Sequence, residues 1–109
     1  TSERLAMGNF LDGKVQVVFG THTHVQTADE KILPGGTGYI TDIGMCGPFH
    51  SVLGVTPELA IRRMRTHLPT RFENASGPCS LSGIVADIDL ATGKTTSIQR
   101  IFAVSSKEA

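Results

Sequence analysis

Apolar and polar positions alternate along this chain with helical spacing in some segments and strand-like spacing in others. Residues 3–11 carry apolar side chains at a loose helical spacing, which Gly8 interrupts, and the pattern predicts a helix. Residues 14–19, Lys-Val-Gln-Val-Val-Phe, predict a short strand in a sheet covered on both faces. Residues 20–30 contain three Thr, two His and no long apolar run, which indicates a polar loop.

Two β-hairpins are predicted from alternating segments that flank turn residues. Residues 31–33 and 38–41 lie on either side of Pro-Gly-Gly-Thr. Residues 81–90 and 94–104 lie on either side of Ala-Thr-Gly-Lys, and four apolar side chains are expected to share one face: Ile84, Ala86, Ile88 and Leu90. The Gly-rich segment 42–54, between the hairpins, predicts irregular structure.

The segment from residue 56 carries the start and stop signals of a second helix. Thr56 suits the N-cap and Pro57 the first helical position. The helix is predicted to run to about His67, with a proline two residues later ending it. Its expected buried side chains are Leu59, Ala60 or Ile61, Met64 and Leu68. Residues 70–73 then predict a short strand, and the whole order predicts a mixed α/β layer protein.

Composition narrows the class of protein. The chain has 109 residues, of which 39% are apolar and 18% charged, which fits one globular domain or a part of one. The formal net charge is zero, so no basic excess suggests nucleic acid, and no stretch reaches the ~18 apolar residues of a membrane helix. The N-terminus has no signal-peptide pattern. Two cysteines, Cys46 and Cys79, do not make a disulfide scaffold, and a cytoplasmic location is the simplest expectation.

His22 and His24 are the strongest candidates for chemistry. They follow a predicted buried strand, and α/β sheets place sites at the carboxyl ends of their strands. On an extended chain, residues two apart point to the same side, so both imidazoles could bind one metal ion or one each of two. The alternative is a polar loop with two hydrogen-bonded histidines, and the His-x-His spacing alone does not decide between them.

Other candidates have simpler explanations. Asp42 follows an apolar strand and could be a metal ligand, a partner that orients a histidine, or a turn cap, and the cap is the default interpretation. Cys46 is expected to be a small loop residue, and a zinc site of Cys46 with His22 and His24 is the weaker hypothesis because Cys46 is distant along the chain. Solvent contact, a hairpin flank or a helix end explains the rest: His50, His67, Asp29, Glu30, Asp87, Asp89, Arg62, Arg63 and Arg65.

A family resemblance sharpens the metal hypothesis. The stretch G-T-H-T-H-V-Q-T-A-D-E, followed by I-L-P-G-G-T-G-Y-I-T-D-I-G-M-C-G-P, closely resembles the YmdB-like metallophosphoesterases of bacteria. The resemblance continues through S-V-L-G-V, L-P-T-R-F-E, D-I-D-L-A-T-G-K and S-I-Q-R-I, and it covers nearly the whole chain. In these calcineurin-like enzymes the usual G-H-x-H motif corresponds to G-T-H-T-H here. The resemblance implies the C-terminal half of a four-layer α-β-β-α sandwich, with residues 1–109 as the C-terminal part of a single domain.

The resemblance also implies a metal site that this segment supplies only in part. His22 would bind one of two divalent ions and His24 the other, with iron or manganese expected and zinc as a further option. The side chains implied to shape the loop or its mouth are Gly20, Thr21, Thr23, Asp42, Gly44 and Met45. The other ligands, and a histidine that protonates the leaving group, would lie upstream, so no catalytic residue is assigned within this chain.

Two functions from different classes follow from this resemblance. The chain could be part of a metal-dependent phosphoesterase that hydrolyses phosphodiesters, cyclic nucleotides above all, completed by the N-terminal half of the enzyme or by a second copy of the chain. It would then have almost no activity alone. The alternative is a catalytically inactive fragment that acts as an assembly or interaction module through exposed apolar surface. Neither function involves a membrane or nucleic acid as partner.

Overall fold

The computed structural model describes residues 1–105, which contain two helices and six strands. Neither of these helices has the length and apolar character that a bilayer crossing demands. The chain divides into two compact units: Thr1–Met45 with Ser82–Ile101, and Cys46–Leu81 with the chain from Phe102. The mixed α/β class is confirmed. The single domain over residues 1–109, of which 106–109 lie outside the described residues, stays a prediction.

The first unit contains helix α1 and a three-stranded sheet. Helix α1 spans Ser2–Leu11, as the sequence predicts. Strand β3, Gly38–Ile40, lies in the middle of the sheet between β1, Val17–Phe19, and β2, Lys31–Ile32. Strand β1 pairs parallel with β3, whereas β2 pairs antiparallel with it and confirms the predicted first hairpin. All three residues of β3 are buried because neighbouring strands cover both of its edges.

Helix α1 packs against the central strand through its glycine. A Cβ atom on Gly8 would lie 2.6 Å from Cδ2 of Tyr39, so the helix and the ring approach closely only because residue 8 has no side chain. Tyr39 is buried, and its hydroxyl lies 2.9 Å from Oγ1 of Thr41. The residue that interrupts the helical pattern is therefore a contact point of this helix with the sheet.

The predicted strand over residues 14–19 is shorter in the structure and less covered. Only Val17–Phe19 pair with β3, while Val15 forms an isolated bridge with Asp12. Phe19 is 57% exposed, and β1 is one of the two edge strands of the described sheet. The expectation of a strand covered on both faces is therefore wrong for the described residues.

The second sheet has the order β4-β5-β6. Strand β4, Gly47–Pro48, pairs antiparallel with the beginning of β5, Cys79–Ile88. Strand β6, Thr95–Val104, follows β5 through a short turn and is hydrogen-bonded to it, which confirms the predicted second hairpin.

The turn of this hairpin corrects one detail of the alternating pattern. The amide of Asp89 donates to the carbonyl of Lys94 at 2.9 Å, and the amide of Gly93 donates back to the carbonyl of Asp89 at 2.7 Å. Leu90 lies inside this turn and is 96% exposed. The prediction that Leu90 shares the face of Ile84 is wrong, because the strand ends two residues before Leu90.

Helix α2 of the second unit has the predicted bounds, and Thr56 occupies the predicted N-cap position. It spans Pro57–Thr66, with Pro57 at the predicted start. The hydroxyl of Thr56 donates to the carbonyl of Glu73 at 3.2 Å and makes no capping bond to the helix. The helix ends at His67 in a left-handed conformation, φ 56°, with its amide donating to the carbonyl of Arg63.

The burial predicted for α2 is largely wrong. Ala60 is buried, but Met64 is 69% and Leu68 is 62% exposed. Met64 lies on the exposed face of α2, and Leu68 lies beyond the end of the helix. Residues 70–73 form no strand, and a single bridge between Val55 and Asn74 is the regular pairing at this point.

Candidate functional site

The polar loop of residues 20–30, called the histidine loop below, begins where β1 ends, beside the end of β3. Strand β1 ends at Phe19 and β3 ends at Ile40, and the two strands are paired in parallel. Parallel strands bring their carboxyl ends to the same edge of a sheet, so the loop from Gly20 meets the segment Thr41–Asp42 there. This edge is the position at which α/β proteins commonly place their sites.

The loop starts with a backbone contact that only glycine permits. A Cβ atom on Gly20 would lie 2.2 Å from the carbonyl oxygen of Thr41, closer than any side chain tolerates. The carbonyl of Gly20 accepts a hydrogen bond of 2.9 Å from the amide of Ile43. These contacts fix the first residue of the loop against the end of β3.

Both histidines are exposed and have positive φ angles. The φ values are 101° for His22 and 66° for His24. Residues with side chains seldom adopt such conformations, which cost about 1–3 kcal/mol each unless surrounding contacts enforce them. The loop is therefore bent, and the expectation of an extended chain that aligns both imidazoles on one side is wrong. Local sequence did not indicate this bend because the contacts that enforce it come from residues distant along the chain.

Asp42 accepts hydrogen bonds from Thr23, the residue between the two histidines. Its Oδ2 accepts hydrogen bonds from the amide of Thr23 at 3.0 Å and from its hydroxyl at 2.6 Å. Its Oδ1 accepts from the amide of Gly44 at 2.9 Å. Asp42 has no exposed surface. Of the three roles open to Asp42, the geometry combines the turn cap with indirect support of the histidines.

Arg4 of α1 forms an ion pair with Asp42 and donates hydrogen bonds to backbone carbonyls at the base of the loop. Its Nη1 lies 3.1 Å from Oδ2 of Asp42 and donates to the carbonyl of Thr41 at 3.2 Å. Its Nη2 donates to the carbonyl of Thr21. No local sequence pattern indicates this role of Arg4, because its partners lie 17 to 38 residues away along the chain.

The hydrogen bonds around Asp42 determine its ionisation. Burial by itself raises the pKa of Asp42, but hydrogen bonds from Thr23, Gly44 and Arg4 outweigh burial and lower the pKa from 3.8 to about 2. The carboxylate is therefore charged at neutral pH and remains a strong acceptor for the loop. Its negative charge faces the guanidinium of Arg4 and does not point into solvent.

A second carboxylate, Asp29, supports the far side of the loop. It accepts from the Thr41 hydroxyl at 2.5 Å, the Thr41 amide at 3.1 Å and the Thr27 hydroxyl at 2.7 Å. Burial raises the pKa of Asp29, yet these hydrogen bonds lower it overall. The amide of Thr27 also donates to the carbonyl of Asp42 at 3.0 Å. Asp29 was expected to be only a hairpin flank, and its role in closing the loop was missed.

Gln26 attaches the loop to the hairpin β5–β6. Its Nε2 donates to the carbonyls of Gly83 and Ile101, each at 3.1 Å, and to that of Ile43 at 3.4 Å. A single amide nitrogen therefore faces three carbonyl oxygens. The end of the loop is tied to a sheet other than the one from which it starts.

The other predicted loop residues have supporting positions. Gly44 has a φ of 90°, and a Cβ atom there would lie 2.9 Å from Cβ of Ser82. Thr21 contributes its carbonyl to Arg4, and Met45 is half-buried at the end of the segment. The structure thus brings Gly20, Thr21, Thr23, Asp42 and Gly44 together around the two histidines.

Residues 1–105 contain no group of three or more His, Cys, Asp or Glu side chains arranged to hold a metal ion. These residues therefore give no support to the hypothesis of a structural zinc site formed by His22, His24 and Cys46, which stays untested. The polar groups expected to face solvent do so in most cases: His50, His67, Asp87, Asp89, Arg62, Arg63 and Arg65 are exposed. Glu30 is half-buried and forms an ion pair of 2.5 Å with Arg100.

Comparison with known proteins assigns the family. The model of the YmdB-like proteins matches residues 1–101. The chain belongs to the YmdB-like family. A relative from Bacillus subtilis strain 168, named 2′,3′-cyclic-nucleotide 2′-phosphodiesterase, is 55% identical over 102 residues, which are 94% of this chain and 39% of the relative. The chain thus spans about two fifths of the length of this YmdB-like relative.

Two solved structures share the fold. The crystal structure of a novel phosphatase from Mycoplasma pneumoniae superposes with a TM-score of 0.87 at 42% identity and covers 94% of this chain and 37% of that one. A hypothetical protein from Thermus thermophilus superposes with a TM-score of 0.86 at 36% identity and covers 94% and 40%. Two of these proteins thus carry the names of a phosphodiesterase and a phosphatase.

Proposed function

We propose that this YmdB-like chain is part of a metal-dependent phosphodiesterase and supplies His22 and His24 as ligands of two divalent metal ions. The observation that carries the proposal is the conformation of the loop that contains the two histidines. Both histidines are exposed and have left-handed conformations, and the buried Asp42 together with the half-buried Arg4 holds the loop that carries them. Backbone strain of this kind concentrates at functional sites, where surrounding contacts maintain it.

The donor chemistry fits such ions, although the described ligand set is incomplete. Imidazole nitrogen suits iron and zinc, and iron or manganese remains the proposed metal. Metal sites of this type need three or four protein ligands per ion, and residues 1–105 offer no third His, Cys, Asp or Glu beside His22 and His24. The remaining ligands would come from residues outside this segment or from a second copy of the chain.

The proposed reaction is hydrolysis of a phosphodiester, with cyclic nucleotides as the substrate class. The name of the Bacillus subtilis relative supports this class. Bound divalent ions would supply activation of water and stabilisation of the charge that develops on the phosphoryl group. The residues of this chain would hold and orient: His22 and His24 as ligands, and the backbone of the loop as their rigid support.

The proposed complete fold is a four-layer sandwich to which this chain contributes one part. Strand β1 is at an edge of the described sheet, with Phe19 exposed. A cavity of about 260 Å³ lies between α1 and this edge, lined mostly by apolar groups that include Met7, Phe19 and Ile40. Further strands and helices would cover this apolar surface, because unpaired edges and apolar clefts are unfavourable in water.

A chimera tests the proposed activity directly. The 102 residues of this chain that match the Bacillus subtilis relative replace the corresponding segment there. Hydrolysis of 2′,3′-cyclic AMP is followed by chromatography with added Mn²⁺. We expect the chimera to be active, because the two segments are 55% identical. His22→Ala and His24→Ala should each lower activity by a factor of about 100 or more, as loss of a metal ligand removes charge stabilisation.

His50→Ala is the matched control, since His50 is exposed and lies outside the loop. This variant should retain activity within a factor of about two, as surface changes usually do. If the alanine variants at His22 and His24 hydrolyse the substrate as fast as the unchanged chimera, the ligand assignment is wrong. A well-folded chimera that shows no hydrolysis would refute the activity proposed for this segment.

The exposed apolar surface of the first unit favours a second function, assembly. Met7 is 52%, Phe10 is 67% and Phe19 is 57% exposed, all in the same unit. A chain that acts as an assembly module would form dimers or larger species through these residues. Light scattering after size exclusion checks this: Phe19→Ser should shift the chain towards monomer. A monomeric wild-type chain would reject assembly through this surface.

A further inference from the structure

The conformation of the histidine loop depends on one residue placed between its two histidines. Thr23 presents both its amide and its hydroxyl to the same oxygen of Asp42, at 3.0 and 2.6 Å. The residues on either side have φ angles of 101° and 66°. Two strained residues this close together persist only if contacts fix the backbone between them, and the pair of hydrogen bonds from Thr23 to Asp42 is such a contact.

Asp42 itself is not open to a metal ion. Its Oδ2 already receives three donors, two from Thr23 and one from Arg4, and its Oδ1 receives the amide of Gly44. A carboxylate has about four lone-pair positions, so these donors use its accepting capacity. The side chain is also fully buried and neutralised by the Arg4 guanidinium. Asp42 can therefore influence a bound metal only through the residues that it holds.

We propose that Asp42 and Thr23, secured by Arg4, are positioning residues that hold the His22 and His24 imidazoles in the arrangement that binds divalent metal. This inference rests on the proposed function, because it takes His22 and His24 as the ligands. Arg4 contributes from a different element: it joins the Asp42 carboxylate to the carbonyls of Thr21 and Thr41, one on each side of the loop's base. The pair of histidines is thus preorganised before metal binds, which lowers the entropy cost of binding.

A titration of the isotopically labelled 109-residue chain with Ni²⁺ tests the inference without reference to activity. Ni²⁺ binds imidazole more tightly than Mn²⁺ and broadens nearby NMR signals. The ring resonances of the four histidines are followed separately, so that His50 and His67 serve as internal references for isolated imidazoles. We expect His22 and His24 to broaden together, at lower Ni²⁺ concentration than the two references.

The decisive variants change Thr23. Thr23→Val keeps the shape but removes the hydroxyl bond to Asp42, and it should raise the Ni²⁺ concentration needed for broadening roughly tenfold, the usual effect of losing an outer-sphere partner. Thr23→Ser keeps both bonds and should bind as wild type does. Asp42→Asn should act like Thr23→Val, whereas Asp87→Asn is its control because Asp87 is exposed and accepts its hydrogen bond from Ser97, outside the loop. The references His50 and His67 should not change in any variant.

The outcomes separate this inference from the proposed function. If His22 and His24 bind Ni²⁺ ahead of the references and Thr23→Val binds as wild type does, the positioning role is overturned while the ligand assignment stands. If wild-type His22 and His24 broaden no earlier than the references, the positioning role is overturned, because the loop then holds the two imidazoles no better for metal than isolated ones. The chimera with His22→Ala or His24→Ala decides the ligand assignment separately. If Asp42→Asn lowers the stability of the whole chain, the comparison of Thr23→Val with Thr23→Ser still decides whether Thr23 positions the two histidines.

Discussion

Protonation of Asp42 should remove a defined share of the stability of this chain. Its pKa falls from 3.8 to about 2 on folding, and each unit corresponds to about 1.4 kcal/mol. The surroundings of Asp42, in which hydrogen bonds from Thr23, Gly44 and Arg4 outweigh burial, therefore contribute a net stabilisation of about 2 kcal/mol to the free energy of unfolding at neutral pH. Because the folded pKa is lowered, this contribution is fully present above the unfolded pKa and is lost as the pH falls from about 4 towards 2.

Two measurements check this value. The carboxyl ¹³C resonance of Asp42 should titrate in the folded chain near pH 2, well below the range of an exposed aspartate. Urea unfolding of wild type and Asp42→Asn at several pH values should show a difference in the free energy of unfolding that shrinks by about 2 kcal/mol between pH 6 and pH 2. Other carboxylates act in both proteins, so the difference isolates residue 42.

Thr23 provides the matched pair of control variants. Thr23→Val should raise the pKa of Asp42, because the Thr23 hydroxyl makes the largest favourable contribution to its ionised form, and Thr23→Ser should leave the pKa low. The reasoning is refuted if Asp42 titrates near 4 in the folded wild-type chain. It is equally refuted if the stability difference between wild type and Asp42→Asn is the same at pH 6 and pH 2.

Three further substitutions test the packing around the loop, each by urea unfolding at neutral pH. Gly20→Ala should destabilise the chain by about 1–3 kcal/mol or more, because the added Cβ would lie 2.2 Å from a backbone carbonyl oxygen. The control is Gly83→Ala, whose Cβ would enter open space, and its stability should stay within about 0.5 kcal/mol of wild type. Equal effects of the two would contradict the close approach. Gly8→Ala should destabilise by about 1 kcal/mol, since overlap with the buried tyrosine ring exceeds the gain of about 1 kcal/mol in helix propensity, and a stabilised variant would show that the ring yields. Gln26→Glu places a carboxylate against three carbonyl oxygens, so it should cost about 1–3 kcal/mol at pH 7 and less at pH 4, and an effect independent of pH would argue against these contacts.

The amino-acid sequence by itself determined the order and type of most elements. Pro57 set the start of α2, and alternating apolar residues with a short Gly-containing turn set the hairpin of β5 and β6. The G-T-H-T-H motif identified the loop that carries the two candidate metal ligands. These signals are local: a capping position, a turn or a period of two is written within ten residues and acts on the backbone directly.

The tertiary structure decided burial and the geometry of the candidate site. Helical spacing predicted Met64 and Leu68 inside, yet both are exposed, because spacing shows which residues share a face and not what covers that face. The bend at His22 and His24 likewise follows from the acceptor that Thr23 meets 19 residues later in the chain, at Asp42. Such contacts depend on which segments the fold brings together, and the long-range pairing of Arg4 with Asp42 leaves no trace in the local pattern of either segment.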